Sequence, residues 1–170
     1  MFSKLCRVYA RICFGACELA LTAMLLIVVY EVIVRYVFGS PTQYSLELTE
    51  YLLVSIGILP LAVILNKDRH VNVDALILRL SPAAQIKFKI ANRIIIAFFA
   101  LVVVYFGAEM SLSALETDSR SSSLLAFPLG VAYAVIPIGF LSLALSAIDE
   151  AIQATKSLGN TADNEGAQHE

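Results

Sequence analysis

Four apolar runs, each close to a bilayer's thickness, decide what this chain can fold into. The first extends from Ile12 to Phe38 and is interrupted only by Glu18, Glu31 and Arg35. The second, Tyr51 to Asn66, carries no charge; the third runs from Ile94 to Ala108 and past Glu109 to Leu115; the fourth, Ser121 to Ile148, is uncharged throughout. A hydrocarbon core about 30 Å thick takes about 20 residues of helix at 1.5 Å each. With 59% of 170 residues hydrophobic and 15% charged, and a mean hydropathy of +0.79, a water-soluble domain would lack the polar surface to cover itself. The runs are continuously apolar rather than alternating, which excludes a transmembrane barrel. The first is too long for a signal peptide and leads into three more. The expectation is an all-α integral membrane protein with four transmembrane helices, over about 12–38, 41–66, 90–115 and 124–148, in one membrane domain of residues 1–152.

Basic residues give the orientation. Lys4, Arg7, Arg11, Lys67, Arg69, Arg79, Lys87, Lys89, Arg93 and Lys156 fall on one side of a four-span chain, and only Arg35 and Arg120 on the other. Ten against two places both termini and the 66–89 connection in the cytoplasm. The net charge of −2 says little, because placement carries the signal.

The segments between the runs have helix signals of their own. Ser40-Pro41-Thr42-Gln43 places serine at an N-cap, proline at the first helical position and glutamine at the third, so the second helix is expected from Pro41. Glu47 and Glu50 then share a face, three apart, and Pro60 is expected to kink the helix. Between spans two and three, Asn72 or Asp74 opens a short amphipathic helix with Leu76, Ile77 and Leu80 on its apolar face, lying at the interface. Ser81-Pro82 starts the third long helix, whose Lys87, Lys89 and Arg93 suit the headgroup region, where long basic side chains reach for water. Residues 153–170 are polar and expected to be a disordered tail.

Chemistry of the usual kinds is missing from the sequence. Cys6, Cys13 and Cys17 all lie on the first helix with no CxxC, and read as structural thiols. His70 and His169 are the only histidines and neither lies in a span, which argues against a haem held between helices. No phosphate loop or zinc-ligand cluster appears. The expectation is no enzyme, no cofactor, no metal and no nucleic acid. The spans' charges carry the remaining interest. Glu31 and Arg35 stand four apart in the order that favours a local ion pair. Glu18 is a membrane-embedded acid without an obvious partner, suited to a contact with another protein or a headgroup, or to proton coupling.

The motifs "RYVFGSP", "ELTEYLL" and "HVNVDAL", in this order and spacing, resemble the small membrane subunit of tripartite ATP-independent periplasmic (TRAP) transporters, the DctQ-like family. The resemblance covers roughly residues 28–150 and rests on Arg35-Tyr36, Ser40-Pro41, Tyr44 with Glu47, and His70 with Val73-Asp74. Tyr44 stands where the family often has tryptophan, Leu46 where it often has a second glutamate, and Glu50 where it is often basic. The resemblance implies a non-catalytic subunit in the bacterial cytoplasmic (inner) membrane. Such a subunit braces a large permease subunit for sodium-coupled uptake of an organic acid that a periplasmic binding protein delivers. Glu31, Arg35, Tyr36, Tyr44, Glu47, Glu50, His70 and Asp74 are the candidate partner-interface or structural residues, with membrane lipids as further contacts. The competing reading is an autonomous, proton-coupled four-span transporter or exporter working as a homo-oligomer.

Overall fold

The computed structural model describes residues 2–40, 42, 44–67, 82–123 and 125–166. Within them the chain is helical: α1 (Phe2–Val37), α2 (Tyr44–Ile58), α3 (Leu61–Lys67), α4 (Pro82–Glu116) and α5 (Leu129–Gly166). Four stretches are long and apolar enough to cross a membrane: Ser3–Val37, Tyr44–Asn66, Ala84–Glu116 and Leu129–Thr155. The α1–α2 and α4–α5 turns share one end of the bundle, the hairpin end; the opposite one is the terminal end.

α5 is the hub, packing against α1, α2, α3 and α4. Its seam with α4 is made of small residues. Ala97 and Ala100 meet Ala144 and Ala147, with Leu65 of α3 and Leu143 closing the cluster. Lipid gives no hydrophobic drive for helices to associate, so close backbone approach and van der Waals packing hold such a seam. Glycine allows the closest approaches. A Cβ on Gly130 would lie 2.4 Å from Leu115 Cγ, and one on Gly139 would lie 2.4 Å from Ile58 Cγ2 and 3.0 Å from the Ile58 carbonyl oxygen. Beside Gly130, the buried Ser111 hydroxyl donates to the Gly130 carbonyl at 2.8 Å. A second cluster, Cys13, Cys17 and Leu59, seats α1, and Tyr9 donates from its hydroxyl to the Ile138 carbonyl at 3.1 Å.

Several local expectations change. α1 ends where expected: Gly39 adopts φ +64, a conformation glycine takes without steric cost. α2 is described from Tyr44; Pro41, where its start is expected, lies outside the described residues, and Thr42 is non-helical, its backbone N–H donating to Glu31. Pro60 does more than kink the second span. It divides it into α2 and α3 at Leu59-Pro60, with Val63 and Ile64 both donating to the Pro60 carbonyl. A proline has no N–H for the carbonyl four residues earlier, here that of Ile56. The Cys17 thiol of α1 donates to that carbonyl at 3.7 Å, so a neighbouring helix supplies the missing donor. All three cysteines are free and buried. α5 continues to Gly166, through the stretch expected to be a disordered tail from residue 153. Polar composition shows how little apolar surface that segment can bury, but a helix already formed propagates readily through Ala151, Gln153 and Ala154. The amphipathic segment with His70, Asp74, Leu76 and Leu80 lies outside the described residues.

Arg93 also departs from its expected place. Lys87 and Lys89 are exposed, but Arg93 is 2% exposed, and its Nε lies 2.7 Å from Glu150 Oε2 of α5. Its Nη1 is buried without a hydrogen-bond partner among the described residues. Position 93 falls on the α5-facing side of α4, four residues before the buried Ala97, so the guanidinium points into the seam and not out to headgroups.

Candidate functional site

Two glutamates organise the hairpin end. Glu31 lies in the last two turns of α1, largely covered, with 12% of its side chain exposed. Arg35, one turn later, donates from Nη2 to Glu31 Oε1 at 2.9 Å, the pair that the i, i+4 spacing predicts. The other carboxylate oxygen gathers the start of α2. It accepts from the Thr42 backbone N–H at 3.2 Å, from the Ser45 hydroxyl at 2.9 Å, and from the Thr42 hydroxyl. A carboxylate is acceptor-only and can take several donors at once, so one side chain fixes the corner between two spans.

Glu47 does the same for the opposite hairpin. It stands in the first turn of α2, where the helix's free N–H groups favour a negative charge. It is 7% exposed, accepts from the Tyr51 hydroxyl at 2.8 Å, and accepts from the hydroxyl of Ser123 in the α4–α5 loop. Stacking of Tyr51 on Phe127, with ring centroids 5.2 Å apart, reinforces that attachment. The loop is itself closed, with Ser121 N–H on the Phe127 carbonyl at 2.9 Å and Leu129 N–H on the Ser119 carbonyl at 3.0 Å. All four spans are thereby tied together at this end.

Around the tied carboxylates lies an exposed rim. Arg35 is 55% exposed and Tyr36 is 81% exposed; Tyr44 and Glu50 are exposed as well. Between α1 and α2 runs an open groove of about 520 Å³, with Ile27, Val28 and Leu46 toward one end and Glu31, Arg35 and Thr42 toward the other. The structure thus separates two residues that spacing alone places on one face. Glu47 turns inward to the α4–α5 loop, while Glu50 remains on the surface. Glu18 is exposed on α1, far from this end. His70 and Asp74 lie outside the described residues.

Sequence reasoning does not single out three contributors: Thr42, Ser45 and Ser123. Thr42 and Ser45 stand beside a proline and a helix start, a signal that could mark them as candidates to cap the glutamate one helix back. Nothing local marks Ser123, whose role is set by tertiary contact. Glu150 is a fourth, although a signal for it exists. It lies just past the fourth apolar run and Arg93 just before the third, so antiparallel spans bring the two charges to one level. Among the described residues no group of three or more His, Cys, Asp or Glu could hold a metal.

The DctQ component of tripartite ATP-independent periplasmic transporters matches residues 24–157 of the chain, most of its length. No curated protein matches it.

Proposed function

The chain belongs to the DctQ family, whose members are the small membrane component of tripartite ATP-independent periplasmic transporters, and from that premise we propose that it is a brace rather than a carrier. In this reading it holds a large permease subunit in the bacterial cytoplasmic membrane. That subunit carries out sodium-coupled uptake of an organic acid handed over by a periplasmic binding protein. Both termini face the cytoplasm, the hairpin end faces the periplasm, and the segment around Asp74 lies at the inner interface, in keeping with the distribution of basic residues.

One observation carries the non-transporting role. The two covered carboxylates at the hairpin end are occupied by the chain's own groups: Glu31 by Arg35, Thr42 and Ser45, and Glu47 by Tyr51 and Ser123. A solute-binding carboxylate needs free acceptor positions facing a cavity, whereas these two tie helices. The exposed rim of Arg35, Tyr36, Tyr44 and Glu50 is what remains for a partner.

Reconstitution tests the proposal. Vesicles containing the chain alone should take up none of a panel of labelled carboxylates under a sodium gradient or a proton gradient. Vesicles that also contain the large subunit, supplied with the binding protein, should accumulate one of them. Uptake or efflux by the chain alone would favour the autonomous transporter instead.

A further inference from the structure

We propose that the face of α1 carrying Gly15, Glu18 and Thr22 is the seat of a transmembrane helix of the large permease subunit, which presents a nitrogen donor to Glu18. This rests on the brace reading and adds the surface and the chemistry of the contact. The residues lie before the segment that matches the family, 24–157.

Glu18 sits at a costly depth. Arg35 and Arg11 mark the two ends of α1's membrane passage. At 1.5 Å per residue, Glu18 lies about 26 Å from Arg35 and about 10 Å from Arg11 along the axis, within the hydrocarbon. It is exposed, and α1 is the least covered span, with 17% of its apolar window buried against 22 to 33% for the others. A carboxylate carries too short a stem to follow lysine or arginine out to the headgroups, and its exposure to lipid is costly. Among the described residues it makes no ion pair, with Arg11 or with any other cation.

The acid also faces away from its own bundle. α1 meets the other helices through Cys6, Ala10, Cys13, Cys17 and Ala20. Gly15 is about 200° round the helix from Cys13, and Gly15, Glu18 and Thr22 stand at i, i+3 and i+7, so they share the face pointing away from that seam. Nothing lies within 4 Å of where a Gly15 Cβ would be. A glycine destabilises a helix relative to alanine, and among the described residues no close contact offsets that. Small residues on an outward face are what a close helix crossing uses. α4 shows the contrast: its exposed face is bulky and aromatic, with Phe98, Phe99, Tyr105 and Phe106, a surface suited to acyl chains.

Charge selects the occupant. Two copies of the chain packed about a two-fold axis at this face would set one Glu18 against the other, and like charges repel. A lysine, arginine or amide from a different helix satisfies the carboxylate. The Thr22 hydroxyl is already turned back on the Glu18 carbonyl at 2.9 Å, so it does not compete for the side chain.

Site-specific photo-cross-linking in native membranes tests this. A photoreactive amino acid replaces Leu19 or Thr22 of the full-length tagged chain, with Phe98 of α4 as the lipid-facing control. The large subunit should co-purify before irradiation, which tests the brace reading on its own; its absence would overturn both. On irradiation, positions 19 and 22 should link to that larger protein and position 98 should not. Glu18→Leu should lower the recovered partner about fivefold to tenfold, and Glu18→Gln, which keeps the shape and hydrogen-bonding capacity, should lower it less. If the partner co-purifies but positions 19 and 22 link only to lipid, to a second copy or to nothing, the proposed seat is wrong. It is equally wrong if Glu18→Leu and Gly15→Leu both leave recovery unchanged.

Discussion

The Cys17 thiol sits against the carbonyl that Pro60 leaves without a donor, and this contact explains a buried cysteine that sequence could only read as structural. Cys17→Ala should leave the part-buried Ile56 carbonyl without this donor and lower stability by about 1 kcal/mol. Cys17→Ser, which restores a donor, should lose less. Thermal unfolding of the two variants in one detergent gives the comparison, and equal losses would count against the contact. Ser123→Ala should likewise release the α4–α5 loop from Glu47, with Tm falling roughly 3 to 6 °C. Ser122→Ala, one exposed position away, should leave Tm unchanged. At this scale the sequence is partly legible. The Glu31–Arg35 pair follows from helical spacing alone. The hydroxyls that complete Glu31 and Glu47 do not, because Thr42 acts from outside a helix and Ser123 comes from a distant loop. The i, i+3 spacing of Glu47 and Glu50 suggests a common role, but a spacing describes one helix and cannot say which neighbour covers part of its face.

Among the elements, the glycines and the Arg93–Glu150 pair decide how the helices meet. Gly139→Ala would drive a methyl group into Ile58 of α2, including its backbone, and should destabilise by about 1–3 kcal/mol. Gly57→Ala lies in the same bundle with nothing within 4 Å and should stabilise by about 0.5–1 kcal/mol. Opposite signs for two identical substitutions are the outcome expected from thermal unfolding. Arg93 and Glu150 make a different kind of contact. Removing either partner leaves a charge in the α4–α5 seam, so Arg93→Met or Glu150→Leu alone should cost about 3–5 kcal/mol. The double variant should recover most of that loss, since two apolar side chains suit the seam. Additive losses would mean that the pair does not act as a unit. Span number and helical class are legible from the apolar runs, because length and continuity in lipid leave few alternatives. Helix ends are less so. Thr42 stands outside α2 with its N–H on Glu31, and α5 runs long because helix propagation requires no buried face.

For the whole molecule, three things come together: a family, a bundle tied at one end by its own carboxylates, and an α1 with one open face. A four-span chain whose covered carboxylates tie its own helices is suited to hold a position in the bilayer. The resemblance carried by Arg35-Tyr36, Ser40-Pro41 and Glu47 is enough to place the chain in its family, since those motifs keep their order and spacing on four spans. It does not reveal what the residues do, because each role depends on a partner elsewhere in the fold. The brace reading is open to a simple check: purification of the tagged full-length chain from native membranes in a mild detergent, with the mass of the particle measured intact. A brace should travel with a larger multi-span membrane protein, and the particle mass should exceed that of any small homo-oligomer. Recovery of the chain alone, or only with copies of itself, would contradict it.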